Sequence, residues 1–407
     1  MNTLKISEDV LYVGVNDFTT RLFESLWPLP NGVSYNSYVV KGEKTALIDT
    51  VEINHLPEML EKFEAHGIAS LDYLIINHME PDHSGSIAKI TERFPNLKIV
   101  GNRLTVGMVK GYYGIDDDAR YEVVKDGDTL DLGAGKVLTF QTIPMVHWPE
   151  TMVTWLADER ILFSGDAFGT FGALGNGIVD SEISNFPTFV DEMYRYYACI
   201  VAKYGPQVQN ALKKLAGLDI KYICSTHGPV WHDHAAEVVS IYDRLSSNQS
   251  EAGVTLIYGS MYGHTGKMAE IVAKRLEERG VTVKRHNAAT SDLSEILADV
   301  WRYRGVVMGA PTYNTQIFPP VASALHALQA RGLKNRIAGA FGSFTWAGAA
   351  CKLLTEGLTA MGLEMPAESV EMKMEITPEI TGNLQQMADT LANAILRECL
   401  NLNQIKD

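Results

Sequence analysis

The chain has few cysteines and no paired cysteine motif. Its 407 residues include only Cys199, Cys224, Cys351 and Cys399, which are far apart in the sequence. No Cys-x-x-Cys pair occurs, so the sequence indicates neither a disulfide framework, nor a zinc ribbon, nor a sulfur-ligated iron centre. Cys224 precedes His227 on an apparent strand, but strand alternation directs its side chain away from the strand end. We therefore interpret the cysteines as ordinary core or helix residues.

Long hydrophobic runs and clusters of positive charge are also missing. Charged residues interrupt every apolar stretch well before the ~18 residues that a membrane span needs, and no signal-type segment is recognisable. The net charge is -14 and the pI about 5.3. The basic residues are scattered, which argues against a nucleic-acid interface. We therefore expect a cytoplasmic protein that binds neither membranes nor nucleic acid.

The pattern of apolar runs changes at a polar segment near residue 250. Before it, short β-rich runs alternate with helix-like stretches, which is typical of two packed sheets flanked by helices. After it, strands and helices alternate strictly, which predicts a doubly wound parallel sheet. We predict one domain over residues 1–248 and a second over residues 253–407. In the second domain, the predicted strands are 254–258, 305–308 and 337–341, and the predicted helices are 267–279, 320–330 and 347–361.

Side chains that can bind metals follow four apolar strands in the first half. A single histidine beside a strand is more often a hydrogen-bonded structural residue. Together, four imidazoles and three carboxylates are about what two metal ions with a bridging carboxylate require. His232 and His234 stand at a helix start instead, where capping and solvation account for them. The candidate ligands are His78, Glu80, Asp82, His83, His147, Asp166 and His227.

Three loops of the second half follow strands of the predicted parallel sheet, where such folds bind ligands. The first precedes a helix, and its small and hydroxyl residues suit a phosphate group. It matches neither the nucleotide P-loop nor the dinucleotide fingerprint. The other two carry aromatic residues that could pack on an isoalloxazine ring. Because no adenosine-binding fingerprint is present, we predict FMN rather than FAD. The candidate flavin-binding residues are Ser260, Met261, Tyr262, Gly263, His264, Thr265, Pro311, Thr312, Tyr313, Asn314, Ser343, Phe344, Thr345, Trp346, Ala347 and Gly348.

The segment from His78 to His83 resembles the His-x-His-x-Asp-His motif of the metallo-β-lactamase fold. Glu80 replaces the second histidine of that motif, and an anionic oxygen ligand favours iron over zinc. With His147, Asp166 and His227 in the expected order, the whole chain resembles the flavodiiron protein family. The loop that begins at Ser260 is similar to the phosphate loop of flavodoxin, with tyrosine where many members of that family have threonine.

This resemblance implies a fold and a set of metal ligands. The fold would be an αββα metallo-β-lactamase-like sandwich followed by a flavodoxin-like parallel sheet. Asp166 would bridge two irons, although some family members do not coordinate iron through the histidine that matches His83. The segment 148–150 would order the ligands from outside the coordination shell. One iron would be held by His78, Glu80 and His147, and the other by Asp82, His83 and His227.

The resemblance also implies an activity and partners. Reduced FMN would supply electrons to the diiron centre, which would reduce O2 to water or NO to N2O. The protein would form a head-to-tail homodimer or a tetramer. Because no Cys-x-x-Cys pair occurs before Asp407, we expect no fused rubredoxin domain, so electrons would come from separate rubredoxin or from a reduced deazaflavin. Two alternatives remain open: a zinc-dependent hydrolase with an appended flavodoxin domain, and an electron carrier whose first domain is a non-catalytic scaffold.

Overall fold

The computed structural model describes residues 4–175 and 177–404, with side chains up to residue 397. It divides into two compact units, unit 1 (Met1–Ser246) and unit 2 (Ser247–Asp407). Cys199, Cys224 and Cys351 are free and buried, in agreement with their interpretation as core residues. Cys399 lies beyond the described side chains. In the described ranges, no helix is both long and apolar enough to cross a membrane.

Unit 1 contains two main β-sheets. The first has the strand order β1-β6-β7-β8-β9-β10 and the second the order β11-β12-β13-β14-β15, while β2 pairs with β5 and β3 with β4. The strands are β1 (Val10–Tyr12), β2 (Val15–Asp17), β3 (Leu22–Phe23), β4 (Trp27–Pro28), β5 (Val33–Tyr35), β6 (Tyr38–Lys41), β7 (Thr45–Ile48), β8 (Tyr73–Ile75), β9 (Lys98–Gly101), β10 (Tyr121–Val123), β11 (Thr129–Asp131), β12 (Val137–Thr142), β13 (Met152–Leu156), β14 (Ile161–Gly165) and β15 (Tyr222–Ser225).

Helices of unit 1 follow the strands of both sheets. One of them, α4, begins where the Asn102 side chain accepts hydrogen bonds from two backbone N–H groups, and it ends at Gly114, whose φ of 65° suits glycine. The helices are α1 (Leu56–Ala65), α2 (Pro81–Ser84), α3 (Ile87–Arg93), α4 (Arg103–Tyr113), α5 (Phe186–Tyr196), α6 (Gly205–Leu215) and α7 (Ala235–Ser246), with a π-helical turn at Tyr197–Val201 and 3₁₀ turns at Ile53–His55, Asp118–Arg120, Asp180–Glu182 and Ala202–Tyr204.

The two sheets of unit 1 are joined by buried hydrogen bonds. The Tyr38 hydroxyl on β6 donates to the Ser225 carbonyl on β15 over 2.9 Å. Asn77, which follows β8, accepts from the Thr154 hydroxyl on β13 over 2.8 Å. Buried aliphatic side chains of β7, β8, β13 and β14 fill the remaining interior. Unit 1 is therefore a two-sheet sandwich, as predicted.

Unit 2 is built on one parallel sheet with the strand order β17-β16-β18-β20-β21, and the short strand β19 pairs antiparallel with β18. Apolar side chains of α8 and α12 cover the sheet and are fully buried. The strands are β16 (Glu251–Tyr258), β17 (Val283–Asn287), β18 (Tyr303–Tyr313), β19 (Gln316–Ile317), β20 (Ile337–Phe344) and β21 (Val370–Lys373). The helices are α8 (His264–Glu278), α9 (Leu293–Arg302), α10 (Pro319–Ala330), α11 (Ala350–Ala360) and α12 (Pro378–Gln404).

Unit 2 agrees with the predicted doubly wound sheet but corrects several element limits. The strand predicted at 305–308 is longer: β18 continues to Tyr313, because its end pairs with β20 at Pro311 and with β19 at Tyr313. The predicted second flavin loop is thus largely a strand and a hairpin. Helix α8 begins at His264 rather than 267, and α11 begins at Ala350 rather than 347.

Candidate metal and flavin sites

The structure brings all seven predicted metal-binding side chains together in unit 1. They form two groups, and within each group the candidate ligand atoms lie within 4.8 Å of one another. Every member is buried except Asp82, which is partly exposed. The first group is His78, Glu80, His147 and Asp166, and the second is Asp82, His83 and His227.

Asp166 faces both groups. Its Oδ2 lies 3.0 Å from His147 Nε2 and 3.7 Å from His78 Nε2, both in the first group. Its Oδ1 lies 3.2 Å from His83 Nε2 and 3.7 Å from His227 Nε2, both in the second group. One carboxylate with an oxygen on each side has the geometry of a bridging ligand.

Sheet topology explains why residues distant in sequence converge. Strands β14 and β15 are parallel, so Asp166 and His227, which follow them, lie at the same edge of the second sheet. Strand β8 ends beside this edge, because Asn77 pairs with β13, and the following turn carries the His78–His83 segment. His147 comes from the connection between the antiparallel strands β12 and β13. Four separate backbone elements therefore hold the cluster.

Hydrogen bonds orient at least two of the imidazoles. His78 Nδ1 lies 2.7 Å from Glu150 Oε1, and that oxygen also accepts from the Met79 backbone N–H over 2.9 Å. His227 Nδ1 lies 2.7 Å from the Ser34 carbonyl oxygen. With Nδ1 donating in each case, the lone pair of Nε2 faces the cluster. The segment 148–150 was expected to order the ligands, and Glu150 has the contacts for that role.

The histidines and carboxylates of the cluster shift one another's pKa values. Burial lowers the pKa of His147, but hydrogen bonds to Asp166 and Glu80 raise it to about 10. Burial likewise opposes protonation of His78 and His83, yet neighbouring carboxylates raise the pKa of each to about 9. The pKa of Asp166 is held well below its usual range, since the nearby histidines outweigh the effect of burial. Protonated histidines and ionised carboxylates therefore stabilise one another in this cluster.

Several buried ligand atoms have no hydrogen-bond partner in the described structure. They are both carboxylate oxygens of Asp82, both ring nitrogens of His83 and Nε2 of His227. The burial cost of such atoms, about 1–3 kcal/mol each when unsatisfied, is offset only by ion-pair contacts of 3.2 Å, from His227 Nε2 to Asp82 and from His83 Nε2 to Asp166. A cation between them would remove that cost. The donor set therefore fits a dinuclear metal site, and its four imidazoles and three carboxylates suit iron.

We expect metal uptake by this cluster to release protons. At neutral pH the histidines with raised pKa values are protonated, and each must lose its proton before it can coordinate an ion. Apparent affinity for Fe²⁺ should therefore increase as pH rises from about 6 toward 9, by about tenfold per pH unit for each proton released. Anaerobic titration of the metal-free protein in weak buffer with a pH indicator would measure the release. An affinity that does not change with pH would contradict the prediction.

Glu150 offers a second test of the cluster. Replacing Glu150 with glutamine removes the negative charge that holds His78 Nδ1–H, so we expect iron affinity to fall about 10- to 100-fold. Iron content after dialysis against a chelator would measure the loss. Glu237→Gln is the matched control, because Glu237 is an exposed carboxylate paired with His234 outside the cluster. Equal iron retention by the two variants would exclude an orienting role for Glu150.

Two residues near the cluster were not predicted from the sequence. Glu24, on the turn between β3 and β4, lies close enough to Glu80 for their charges to repel, and its carboxylate accepts a hydrogen bond from Trp27 Nε1 over 3.1 Å. Although the residue is exposed, partial desolvation of its carboxyl and the charge of Glu80 raise the pKa of Glu24 to about 7. The fully buried Tyr196 packs 5.8 Å from the His227 ring, and its hydroxyl has no hydrogen-bond partner among the described residues.

His232 and His234, which were excluded from the ligand set, lie outside both groups. The His232 ring stacks on Tyr222 with a centroid distance of 4.5 Å, and the His234 ring stacks on Phe186 at 3.7 Å. Asp180 accepts hydrogen bonds from the backbone N–H groups of residues 232–234. Their place before α7 is therefore explained by packing and loop structure.

Unit 2 contains a cavity of about 760 Å³ at the carboxyl ends of its strands. Its size is that of a small-molecule cofactor site. Of the predicted flavin-binding residues, Gly263 and Gly348 are not part of the lining. Thr315, Met374 and Glu375 were not predicted but belong to it. The predicted residues that line it are Ser260, Met261, Tyr262, His264, Thr265, Pro311, Thr312, Tyr313, Asn314, Ser343, Phe344, Thr345, Trp346 and Ala347.

Hydrogen bonds fix the loops of this cavity to one another. The Thr312 hydroxyl accepts from the backbone N–H groups of Ala349 and Ala350, over 3.0 and 3.1 Å. The Met374 N–H donates to the Phe344 carbonyl over 2.9 Å, which brings the segment after β21 against the third loop. Trp346 and Tyr262 remain 87% and 88% exposed at the rim. The cavity thus has fixed walls and two aromatic side chains free to contact a ligand or another protein surface.

Each unit matches a known protein family, and the whole chain is similar to known proteins. Residues 33–228 match the ODP family beta lactamase model, and residues 256–379 match the flavodoxin model. A rubredoxin-oxygen oxidoreductase of Megalodesulfovibrio gigas is 35% identical over 405 residues, which cover 97% of this chain and 98% of that protein. An anaerobic nitric oxide reductase flavorubredoxin of Salmonella paratyphi B is 32% identical over 384 residues, covering 93% of this chain and 79% of the relative.

Solved structures show the same similarity. Rubredoxin oxygen:oxidoreductase from Desulfovibrio gigas superposes with a TM-score of 0.93 at 35% identity, covering 98% of this chain and 100% of that one. The flavodiiron protein from Giardia intestinalis also gives a TM-score of 0.93, at 27% identity, and 98% of each chain is covered. Both units of the chain therefore have counterparts in single known proteins.

Proposed function

The chain belongs to the flavodiiron protein family, and on that premise we propose that it is an oxidoreductase that reduces O2, NO or both. The observation that carries this proposal is the pair of buried ligand groups joined by Asp166 in a chain that also has a flavodoxin unit. When bound, FMN and the two irons supply the electron transfer. We assign the diiron domain to residues 1–248 and the FMN domain to residues 253–407, limits that accord with the two compact units.

We assign each iron a set of protein ligands. His78, Glu80 and His147 would hold one ion, while Asp82, His83 and His227 would hold the other. Asp166 would contact both through its two carboxylate oxygens. The separation of these side chains into two groups supports the assignment. Glu80 supports iron over the zinc of a hydrolase, since a hard anionic oxygen stands where the hydrolase motif has an imidazole.

The flavin would lie in the cavity of unit 2. Its phosphate would bind at the loop that precedes α8, where the first backbone N–H groups of the helix point. Residues 311–314 and 343–347 would flank the isoalloxazine ring, because they carry the aromatic side chains Tyr313, Phe344 and Trp346. The flavodoxin match over residues 256–379 includes both parts.

Side chains around the metal cluster can exclude water and retain protons. The rings of Phe23, Tyr35 and Tyr196 lie 5.4–5.9 Å from the His227 ring and are almost fully buried. Burial raises the pKa of Tyr196 well above its usual range, so its hydroxyl keeps its proton and can donate a hydrogen bond into the site. A hydroxyl that keeps its proton can hydrogen-bond a bound ligand, but it does not supply the protons that reduction of either gas consumes.

We also propose a head-to-tail homodimer and a separate electron donor. In unit 1, Phe18 and Leu26 beside the β3–β4 hairpin are 68% and 57% exposed. In unit 2, Tyr262 and Trp346 are exposed at the rim of the flavin cavity. Apolar side chains exposed at each functional site are typical of association surfaces. The donor would be rubredoxin, which the name of the M. gigas relative includes, or a reduced deazaflavin.

Anaerobic stopped-flow would test this function. The protein would be loaded with iron and FMN, fully reduced, mixed separately with O2 and with NO, and followed by flavin absorbance. The control is the same protein loaded with zinc, which cannot exchange electrons. Rapid flavin reoxidation only in the iron form is the expected result, and the gas that gives it is the substrate. Equal, slow reoxidation in both forms would refute the proposal and favour the hydrolase or carrier alternatives.

A further inference from the structure

The short hairpin formed by β3 and β4 lies against the metal cluster of unit 1. Phe23 on β3 is 3% exposed, and its ring contacts the His227 ring edge-on with a centroid distance of 5.4 Å. Glu24 in the turn lies close enough to Glu80 for their charges to repel. The β3–β4 hairpin therefore covers part of the cluster and contacts ligands of both groups.

The bonds within the hairpin are too few to hold it in this position. Its ladder has only two residue pairs. In its turn, Glu24 and Ser25 have φ values of 50° and 58°, which are unfavourable for residues other than glycine. An isolated two-stranded hairpin is at best marginally stable in water. Contacts with the rest of unit 1 must therefore keep the hairpin against the cluster.

Two charged side chains of α5 supply such contacts. Arg195 donates from Nη1 to the Pro28 carbonyl at the end of β4, over 2.7 Å. Glu192 Oε1 accepts from the Asn31 side chain, just after β4, over 2.8 Å. The two residues also pair with each other, because Arg195 Nε and Nη2 lie 2.8 and 2.6 Å from Glu192 Oε2. Both are buried. We call this ion pair the Glu192–Arg195 clamp.

The clamp also contacts the aromatic side chains beside the cluster. The Arg195 guanidinium lies 4.6 Å from the centroid of the Phe171 ring. Phe171 packs edge-on against Phe23 at 5.4 Å and against Tyr196 at 5.1 Å. A continuous series of contacts therefore leads from Arg195 through Phe171 and Phe23 to His227.

Burial of this ion pair indicates a positioning role. Removing two charges from water is costly, so a buried ion pair often stabilises a protein no more than apolar residues of similar volume would. Its advantage is direction. The planar guanidinium binds the Glu192 carboxylate and the Pro28 carbonyl in one fixed geometry, which apolar side chains could not impose.

We propose that Glu192 and Arg195 are positioning residues that hold the β3–β4 hairpin closed over the cluster, and that this closure limits the access of water and larger solutes to the metals. The inference rests on the proposed diiron function. Without the clamp, the hairpin would open more often and Phe23 would leave the His227 ring. The metal ligands themselves would be unchanged.

Hydrogen exchange tests the clamp in the full-length, metal-free protein. Exchange of residues 21–32 would be followed by mass spectrometry in wild type and in Glu192→Gln/Arg195→Gln, a double variant that leaves no unpaired buried charge. We expect this segment to exchange about tenfold faster in the variant, because hydrogen bonds to charged groups are lost. Arg195→Lys should give an intermediate rate, since an ammonium group keeps the charge but lacks the fork that reaches both acceptors.

Iron release provides a second readout. When iron-loaded protein is mixed with excess chelator, the double variant should lose iron about tenfold faster than wild type. Lys136→Met is the matched control, because Lys136 is also a buried cation of unit 1 and pairs with Asp158 and Glu159 over 2.8 and 2.6 Å. This control should destabilise unit 1 to chemical denaturation without accelerating iron release or the exchange of residues 21–32.

The possible results separate the clamp from the proposed function. Equal exchange of residues 21–32 in wild type and the double variant would refute the clamp. Equally faster exchange throughout unit 1 would show that the pair serves only general stability. Faster exchange of the segment with unchanged iron release would refute the limit on access. Failure of wild type to retain iron would refute the diiron function, while faster exchange of the segment in the metal-free variant would still support the clamp.

Discussion

Replacement of Asp166 with alanine is expected to lower the rate of O2 or NO reduction by at least about 100-fold. The carboxylate has one oxygen 3.0 Å from His147 and the other 3.2 Å from His83, so its loss removes a ligand from both groups. It also leaves the buried histidines without the negative charge that offsets their burial. Steady-state consumption of each gas, with iron and FMN content measured on the same sample, would test this result.

Control measurements distinguish the loss of a metal ligand from a general disturbance of the protein by the Asp166→Ala substitution. FMN content should not change, because the flavin cavity lies in unit 2 and Asp166 in unit 1. Iron content should fall below two per chain. Asp233→Asn is the matched variant, since Asp233 is an exposed aspartate beside His232 and belongs to neither group. Unchanged turnover by Asp166→Ala with full iron content would refute the diiron mechanism.

The metal cluster could be predicted because sheet topology relates sequence position to place in the fold. Side chains that follow parallel strands lie at one sheet edge, and this rule places Asp166 and His227 together. The spacing of the donors from His78 to His83 put several ligands on one short turn. The structure brings all seven side chains together, while their binding to iron remains a proposal.

Glu24 could not be predicted in the same way. It lies on the three-residue turn between β3 and β4, in which Glu24 and Ser25 have φ values of 50° and 58°. Positive φ values in hairpin turns are usually supplied by glycine, asparagine or aspartate, and none of these stands at residues 24–26. Its electrostatic interaction with Glu80 joins residues distant in sequence, and only the folding of the hairpin within unit 1 brings the two carboxyl groups close. Tyr196 escapes prediction similarly, because nothing distinguishes it from the other aromatic residues of α5.

Part of the flavin cavity was not predicted, because one strand of unit 2 was not recognised in the sequence. The loops after β16, β18 and β20 were predicted from apolar runs followed by small and aromatic residues. Strand β21 (Val370–Lys373) alternates buried with exposed residues and was not predicted, so Met374 and Glu375 after it were missed. A half-buried edge strand of four residues gives too short a pattern to distinguish from a loop.

The buried side chain of Arg336 is expected to make a large contribution to the stability of unit 2. The residue is 1% exposed, and its guanidinium donates to five backbone carbonyl groups over 2.9–3.2 Å. Two of these acceptors, Val300 and Trp301, lie in the last turn of α9, whose carbonyls have no partner within the helix. Burial and the nearby Arg304 lower the pKa of Arg336 to about 9, so the group is still charged at neutral pH. The positive charge of Arg336 and the negative, C-terminal end of the α9 dipole therefore attract each other.

Arg336→Met should consequently lower the free energy of unfolding of unit 2 by about 3 kcal/mol or more, because it leaves several buried carbonyls unpaired. Chemical denaturation followed by flavin release would measure the change. Lysine should restore only part of the loss, since a single ammonium group cannot span acceptors placed for a planar fork. Arg285→Met is the matched control: Arg285 pairs with Glu277 at the surface, and such pairs contribute about 1 kcal/mol or less. If both substitutions destabilise the unit equally, the buried guanidinium does not cap α9.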